Sequence, residues 1–181
     1  MKLFISPHND DESLFGAFTL IREKPLVVVV TDSFIQPNRG DISCDAHTRR
    51  QESIAACKIF GCPIAFLGIK DTELTSSNLS SRLEDFKNLG FEGVYAPAIQ
   101  GGNPQHDLIG KIANQIFNNV IYYTTYTKTE LWTKGEIEVV PTPEEIELKE
   151  KALWCYQSQI KLPATRPHFE AVLGGKSEWL I

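Results

Sequence analysis

His8, Asp10, Asp11 and Glu12 fall within one short stretch, Ser6-Pro7-His8-Asn9-Asp10-Asp11-Glu12-Ser13. An imidazole and a carboxylate three positions apart across a turn can bring a nitrogen and an oxygen donor onto one Zn²⁺. On that reading Asp10 points elsewhere and can hold a proton-transfer position beside the metal. A plainer reading makes the same stretch a helix start. Asn9 or Asp10 accepts from free backbone N–H groups, and acids in a first turn suit the helix dipole. Capping leaves the histidine before the cap unexplained. A second histidine, His106, ends the stretch Pro97-Ala98-Ile99-Gln100-Gly101-Gly102-Asn103-Pro104-Gln105. Alone it reads as another polar helix end. With His8 and Asp11 on one sheet edge it makes a three-ligand set with an open fourth position, the catalytic zinc arrangement.

The elements around these residues must bring them together. Apolar strand-like runs alternate with amphipathic helices. That is the pattern of a Rossmann-like three-layer α/β sandwich, a mostly parallel sheet with helices on both faces. Strands are expected at 2–6, 26–31, 63–68, 93–96 and 120–126, and at an edge over 134–140. Helices are expected at 10–23 and at 47–60, the latter with Ile54, Cys57 and Ile59 as its apolar positions and Gly61 as its stop. Another runs from a Ser77 or Ser80 cap to Gly90, and another from His106 to about 118 with Ile109, Ile112, Ala113 and Ile116 buried. A last one starts at Pro143, where proline and acids belong, and reaches Tyr156. His8 then follows the first strand and His106 the fourth. Both lie at the carboxyl edge, where open α/β sheets bind ligands. The polar loop from Asp32 to Ala46, with Pro37, Asn38, Arg39 and Gly40, leaves the second strand at that same edge, and long loops are often functional. The tail beyond Tyr156 shows no clear pattern.

The length of 181 residues suits one domain, 1–181, with a full core. A net charge of -5 argues against a general nucleic-acid binder. The longest apolar run, Leu26 to Val30, is far too short to span a bilayer, and the N-terminal run stops at Ser6, unlike a signal peptide. Cys44, Cys57, Cys62 and Cys155 form no CxxC pair, and Cys57 and Cys155 read as reduced core residues. The expectation is a soluble cytoplasmic protein, with no nucleic-acid or membrane partner and with homo-oligomerisation open.

Pro7-His8-Asn9-Asp10-Asp11-Glu12 resembles the His-Pro-Asp-Asp-Glu signature of the zinc-dependent de-N-acetylases of the PIG-L or LmbE-like family. Thr31-Asp32 is similar to the end of that family's second strand. Arg49-x-x-Glu52 with Ala55-Ala56 and Phe60-Gly61 is similar to its next helix, and Leu67-Gly68 with Asp71 to its third-strand segment. His106 takes the last position of the family's His-x-Asp-His motif, and Lys151, Tyr156 and Ser158-Gln159 resemble a later helix ending in Ser-Gln. The resemblance runs in order over residues 2 to 160. It implies that His8, Asp11 and His106 bind Zn²⁺, with Fe²⁺ or Co²⁺ as other ions suited to the same ligands. It implies Asp10 as general base, Arg49 and Asp71 as residues that hold the substrate, and Glu12 behind the ligands, orienting the turn. The implied substrate is a small N-acylated amino sugar or glycoconjugate. Asn9 stands where the family has proline. Asn103 and Gln105 stand where it has the first histidine and the aspartate of His-x-Asp-His. Asn103 can donate a hydrogen bond to an oxyanion but cannot transfer a proton.

Three other readings compete. The chain could be a catalytically impaired zinc- or sugar-binding domain of the same fold, which Asn103 and Gln105 favour. A phosphoester hydrolase would call for a second metal or more basic clamps than Arg39, Arg49 and Arg50. A dinucleotide-binding enzyme would show a Gly-x-Gly-x-x-Gly turn after the first strand, where acids stand instead. Tyr122, Tyr123, Tyr126 and Trp132 could stack on a sugar ring or pack the sheet.

Overall fold

The computed structural model describes residues 1–33 and 45–181. Strand β1 (Leu3–Ser6) leads into helices α1 (Asp11–Phe15) and α2 (Ala17–Glu23), then β2 (Leu26–Thr31) and α3 (Ala46–Phe60). β3 (Ile64–Ile69), α4 (Ser76–Lys87), β4 (Val94–Pro97), α5 (Pro104–Ile116) and β5 (Val120–Tyr123) continue the alternation. β6 (Ile137–Val139), α6 (Pro143–Leu153), α7 (Gln157–Ile160), α8 (Arg166–Val172) and β7 (Glu178–Leu180) complete it.

The strands form one sheet in the order β3-β2-β1-β4-β5-β7-β6. The first five run parallel, and β7 lies antiparallel between β5 and β6. This is the Rossmann-like, mostly parallel architecture expected from the alternation of strands and helices. The strand order reverses between β1 and β4, which opens a crevice at their carboxyl ends. The turn after β1 carries His8 and the loop after β4 leads to His106, so the topology itself sets both histidines at one crevice.

Side-chain alternation explains why both faces of the sheet are covered. Phe4, Val27 and Val29 face one way with Leu20, Ala56, Phe60 and Tyr156. Leu3, Ile5, Val28 and Val30 face the other with Leu79, Leu83, Ile109 and Ile112. The strand residues among these are fully buried.

The helix expected over 10–23 is two helices, broken at Gly16. A Cβ on Gly16 would lie 2.2 Å from the ring of Phe4, and that ring stacks on Tyr123 at 4.6 Å, so it has little room to withdraw. The chain therefore passes over Phe4 with bare backbone. Other boundaries also shift. Thr75, with a reciprocal bond from Asn78, caps α4 in place of Ser77 or Ser80. Asn103 caps α5, which starts at Pro104 and not at His106. β5 ends at Tyr123; the Thr124 N–H still donates to the Trp179 carbonyl of β7, while its hydroxyl turns to the Thr133 carbonyl. α6 ends at Leu153. Cys57 is buried, but Cys155 is only half-buried, and Ile54 is exposed although an apolar face was expected there. Most of the loop expected over 32–46, including Pro37, Asn38, Arg39, Gly40 and Cys44, lies outside the described residues. Among the described residues no helix is long and apolar enough to cross a membrane.

The tail is anchored by a buried ion pair. Lys149 on α6 donates to Glu178 on β7 at 2.8 Å and to the Leu14 carbonyl at 2.9 Å, and the Phe18 N–H donates to Glu178 at 3.0 Å. A side chain at Gly16 should push Phe4 off its stack. Gly16→Val is therefore expected to lower stability by about 1–3 kcal/mol, the usual range for overpacking. Urea unfolding should show a lower midpoint with an unchanged slope; a midpoint equal to that of the parent protein would contradict the account of the break.

Candidate metal centre and pocket

Three donor atoms meet at the crevice. Nδ1 of His8 lies 2.9 Å from Oδ2 of Asp11, Nε2 of His106 lies 3.0 Å from the same oxygen, and the two ring nitrogens are 3.2 Å apart. The rings are tilted by 38° with centroids 5.2 Å apart. Zinc bonds of about 2.0–2.2 Å in a tetrahedral site set ligand atoms roughly 3.3 Å from one another. The observed spacing is slightly tighter than that, and the donor set of two imidazoles and a carboxylate fits a divalent cation. Among the described residues His8, Asp11 and His106 form the group able to hold one.

The turn that carries His8 and Asp11 is held from behind by Glu12. Its carboxylate is fully buried and accepts from the hydroxyl of Ser6 at 2.8 Å, the N–H of Asp10 at 3.1 Å and the hydroxyl of Tyr156 at 2.7 Å. These bonds hold Asp10 at φ 152°, a backbone region that residues other than glycine seldom visit. Asn9 ties the turn to the end of β2, since its N–H and its side-chain amide both donate to Oγ of Ser33, at 2.8 and 3.1 Å.

Arg49 rises from α3 into this turn. Its guanidinium is buried, donates to Oδ2 of Asp10 at 3.1 Å, and also donates to the Asn9 carbonyl. Arg49 and Glu52, three positions apart on α3, do not pair with each other. Glu52 instead accepts from the N–H of Ser158 at 2.7 Å and from its hydroxyl at 2.6 Å, which docks α7. Burial pushes the Asp10 carboxyl up to about 7; Arg49 pulls it back while the negative charge of Asp11 adds to the rise. At His8, burial works against the imidazolium, but the hydrogen bond and charge of Asp11 override it and lift the ring to about 9. At Asp11 burial again opposes the charge, and His106 and His8 together hold the carboxyl well below the usual range.

Gln105 and Asn103 occupy defined positions. Oε1 of Gln105 accepts from Nε2 of His8 at 2.6 Å, so Nε2 keeps its proton and Nδ1 is the nitrogen a cation would take once its own proton is displaced. The amide of Gln105 donates to the Asp71 carbonyl at 2.9 Å. Asn103 caps α5 by accepting from the Gln105 N–H at 2.8 Å, and its amide donates to the Tyr126 hydroxyl at 3.0 Å. Both ends of the Asn103 side chain are therefore engaged. Asp71 lies at the rim with a buried, unpartnered Oδ1.

A cavity of about 770 Å³ opens at this cluster, with His8 and Asp11 in its lining and His106 buried beside them. His8, Asp10, Asp11, Arg49, Asp71, Asn103 and Gln105 line it from the sheet edge; Gln159, Thr165, His168 and Phe169 line it from the tail. Of the four aromatic candidates Tyr126 reaches the cavity, packing edge-on to His106 at 5.3 Å. Tyr123 is buried, stacked on Phe4 and donating to the Ile5 carbonyl at 2.9 Å. Tyr122 and Trp132 bond to Gly110 and Ser177. Of the tail residues, Gln159 falls in the Ser158-Gln159 pair that the sequence offers, whereas Thr165, His168 and Phe169 lie where no periodic pattern places them.

A sequence model of the family described as PIG-L, GlcNAc-PI de-N-acetylase, matches residues 3–117, which include His8, Asp11 and His106. No curated protein matches the chain in sequence. Among solved structures, a zinc-inhibited form of a teicoplanin deacetylase superposes with a TM-score of 0.71 at 18% identity, covering 99% of this chain and 97% of that one. The N,N'-diacetylchitobiose deacetylase of Pyrococcus horikoshii gives 0.71 at 18% identity, over 99% and 83%. The 4-carboxy-2-hydroxymuconate hydratase of Pseudomonas putida gives 0.70 at 15% identity, over 99% and 95%. At these identities the likeness is one of fold, and the fold carries more than one chemistry.

The electrostatics of the centre make a prediction about metal uptake. Below pH 9 the cluster holds a proton on His8 that a divalent cation must displace. Affinity should therefore fall as pH falls, by about tenfold per pH unit for each proton released. Calorimetric titration with Zn²⁺ or Co²⁺ in two buffers of different ionisation enthalpy measures that release. Uptake without any proton release would contradict the assignment.

Proposed function

Since the chain belongs to the PIG-L family, we propose that it is a metal-dependent deacylase that hydrolyses the N-acyl, most simply N-acetyl, amide of an amino sugar or a related glycoconjugate. The observation that carries this reading is the convergence of His8, Asp11 and His106 on one point at the floor of the cavity, with Asp10 beside them. His8, Asp11 and His106 would hold the cation, for which Zn²⁺ suits the ligands and Fe²⁺ or Co²⁺ are alternatives. When bound, a divalent ion polarises an acyl carbonyl and acidifies a water.

The protein's own groups do the rest. Arg49 occupies Oδ2 of Asp10, while Oδ1 has no hydrogen-bond partner among the described residues. Oδ1 takes the proton of the attacking water and returns it to the departing amine, so one carboxylate serves as base and then as acid. A carboxyl held near neutrality suits both steps. Arg49 acts through Asp10, fixing its orientation. Asp71 offers its unpartnered oxygen to a substrate hydroxyl. Asn103 supports the oxyanion only if its amide leaves Tyr126. That engagement is the observation favouring the rival reading, a binding domain of the same fold with impaired catalysis.

Release of acetate from a panel of N-acetylated sugars by metal-loaded protein separates the two readings. Activity supports the deacylase, and no release from any member of the panel supports the binding domain. Asp10→Asn should keep its metal while turnover drops by about 10² to 10⁴, the share of a general base; full turnover in that variant would remove Asp10 from the mechanism. His106→Ala should instead lose metal, as elemental analysis of the purified variant would show. Retention of one equivalent of metal would overturn its assignment as a ligand.

A further inference from the structure

We propose that His168 contacts the substrate, with its Nε2–H donating a hydrogen bond to a hydroxyl oxygen of the sugar bound in the cavity. This rests on the reading of the cavity as a sugar-amide site and adds a recognition residue to it from a part of the chain beyond residues 3–117.

His168 projects from α8 into the cavity wall and is half-buried. Neither of its ring nitrogens has a hydrogen-bond partner among the described residues, and Nδ1 is shut away from solvent. Leaving a buried N–H unpaired is rarer in proteins than leaving an acceptor under-satisfied. The ring therefore carries its hydrogen on Nε2, the nitrogen that is not shut away, and presents a donor to the cavity. Burial lowers the proton affinity of this ring, which keeps it neutral near pH 7.

The ring is held in place by packing. It lies against Tyr126 with centroids 4.7 Å apart, and Tyr126 in turn packs edge-on to His106 and receives the Asn103 amide at its hydroxyl. His168 thus stands one aromatic ring away from His106. Several other donors that line the cavity are already engaged. The amide of Gln105 serves Asp71, that of Asn103 serves Tyr126, and the Nη2 of Arg49 serves Asp10 and Asn9. With Asp71 as acceptor and His168 as donor, the cavity can read a hydroxyl pair on a polyol.

The test uses metal-loaded full-length protein and two substitutions. His168→Phe keeps a ring against Tyr126 but removes both nitrogens; His168→Gln returns an amide donor. Loss of one neutral hydrogen bond corresponds to a roughly five-fold change. His168→Phe should raise KM for the best N-acetylated sugar about five-fold, with kcat within two-fold and the melting temperature unchanged, and His168→Gln should recover part of the loss. A KM in His168→Phe equal to that of the parent overturns the proposal, as does an equal rise in both variants. A readout independent of turnover is the ¹⁵N spectrum of histidine-labelled protein. It should show the Nε2–H tautomer at His168 and a shift on addition of N-acetylglucosamine. An Nδ1–H tautomer, or no response to the sugar, overturns the proposal. If the parent protein releases no acetate at all, the deacylase reading fails, and the spectrum still decides His168.

Discussion

One carboxylate oxygen, Oδ2 of Asp11, is where distant parts of this chain meet. It accepts from the His8 N–H at 3.0 Å and faces a ring nitrogen of His8 and another of His106, almost without solvent exposure. A buried anion is stable only when positive charge surrounds it. The arrangement therefore demands either protons on the imidazoles or a cation between them. Much of the local structure serves that demand. Glu12 braces the turn from below, Ser33 anchors it from the side, and Gln105 fixes the tautomer of His8 from above.

The same constraint explains the polarity of α3. A helix packed against a sheet normally turns an apolar stripe inward. The inward face of α3 instead carries Arg49, Glu52 and Ser53 beside Ala56, Cys57 and Phe60. Arg49 goes to Asp10 and Glu52 to Ser158, so one helix orients the Asp10 carboxylate and docks the segment that leads into the cavity wall. Ile54 is left exposed as a result. Sequence periodicity assumes that buried means apolar, and a helix given over to positioning polar groups breaks that assumption.

What the sequence made legible follows from this. The five parallel strands were readable because Val27 to Val30 and their neighbours alternate between two apolar faces. The shared edge was readable because His8 and His106 each follow a strand of a parallel sheet, whose carboxyl ends lie on one side; that β1 and β4 are neighbours was not. The break at Gly16 was hidden because its cause is the ring of Phe4, remote in sequence. The role of Gln105 was hidden because a residue that differs from the family motif can still supply the needed acceptor. The tail was illegible for a different reason. α7, α8 and β7 are too short to show a period, and they are fixed by groups elsewhere, among them Lys149, Glu52 and the Phe18 N–H.

The place of β7 has a consequence for how the sheet can be assembled. β6 is made first but sits at the rim, and the strand it must pair with comes later and takes the position inside it. On a growing chain β6 therefore waits with nothing to hydrogen-bond to, its Ile137 open to water. His8, Asp11 and His106 all emerge well before that, by residue 106. That cluster is thus encoded early, while the wall bearing His168 and the pairing of β6 with β7 wait for residues beyond 165, a division of labour along the message.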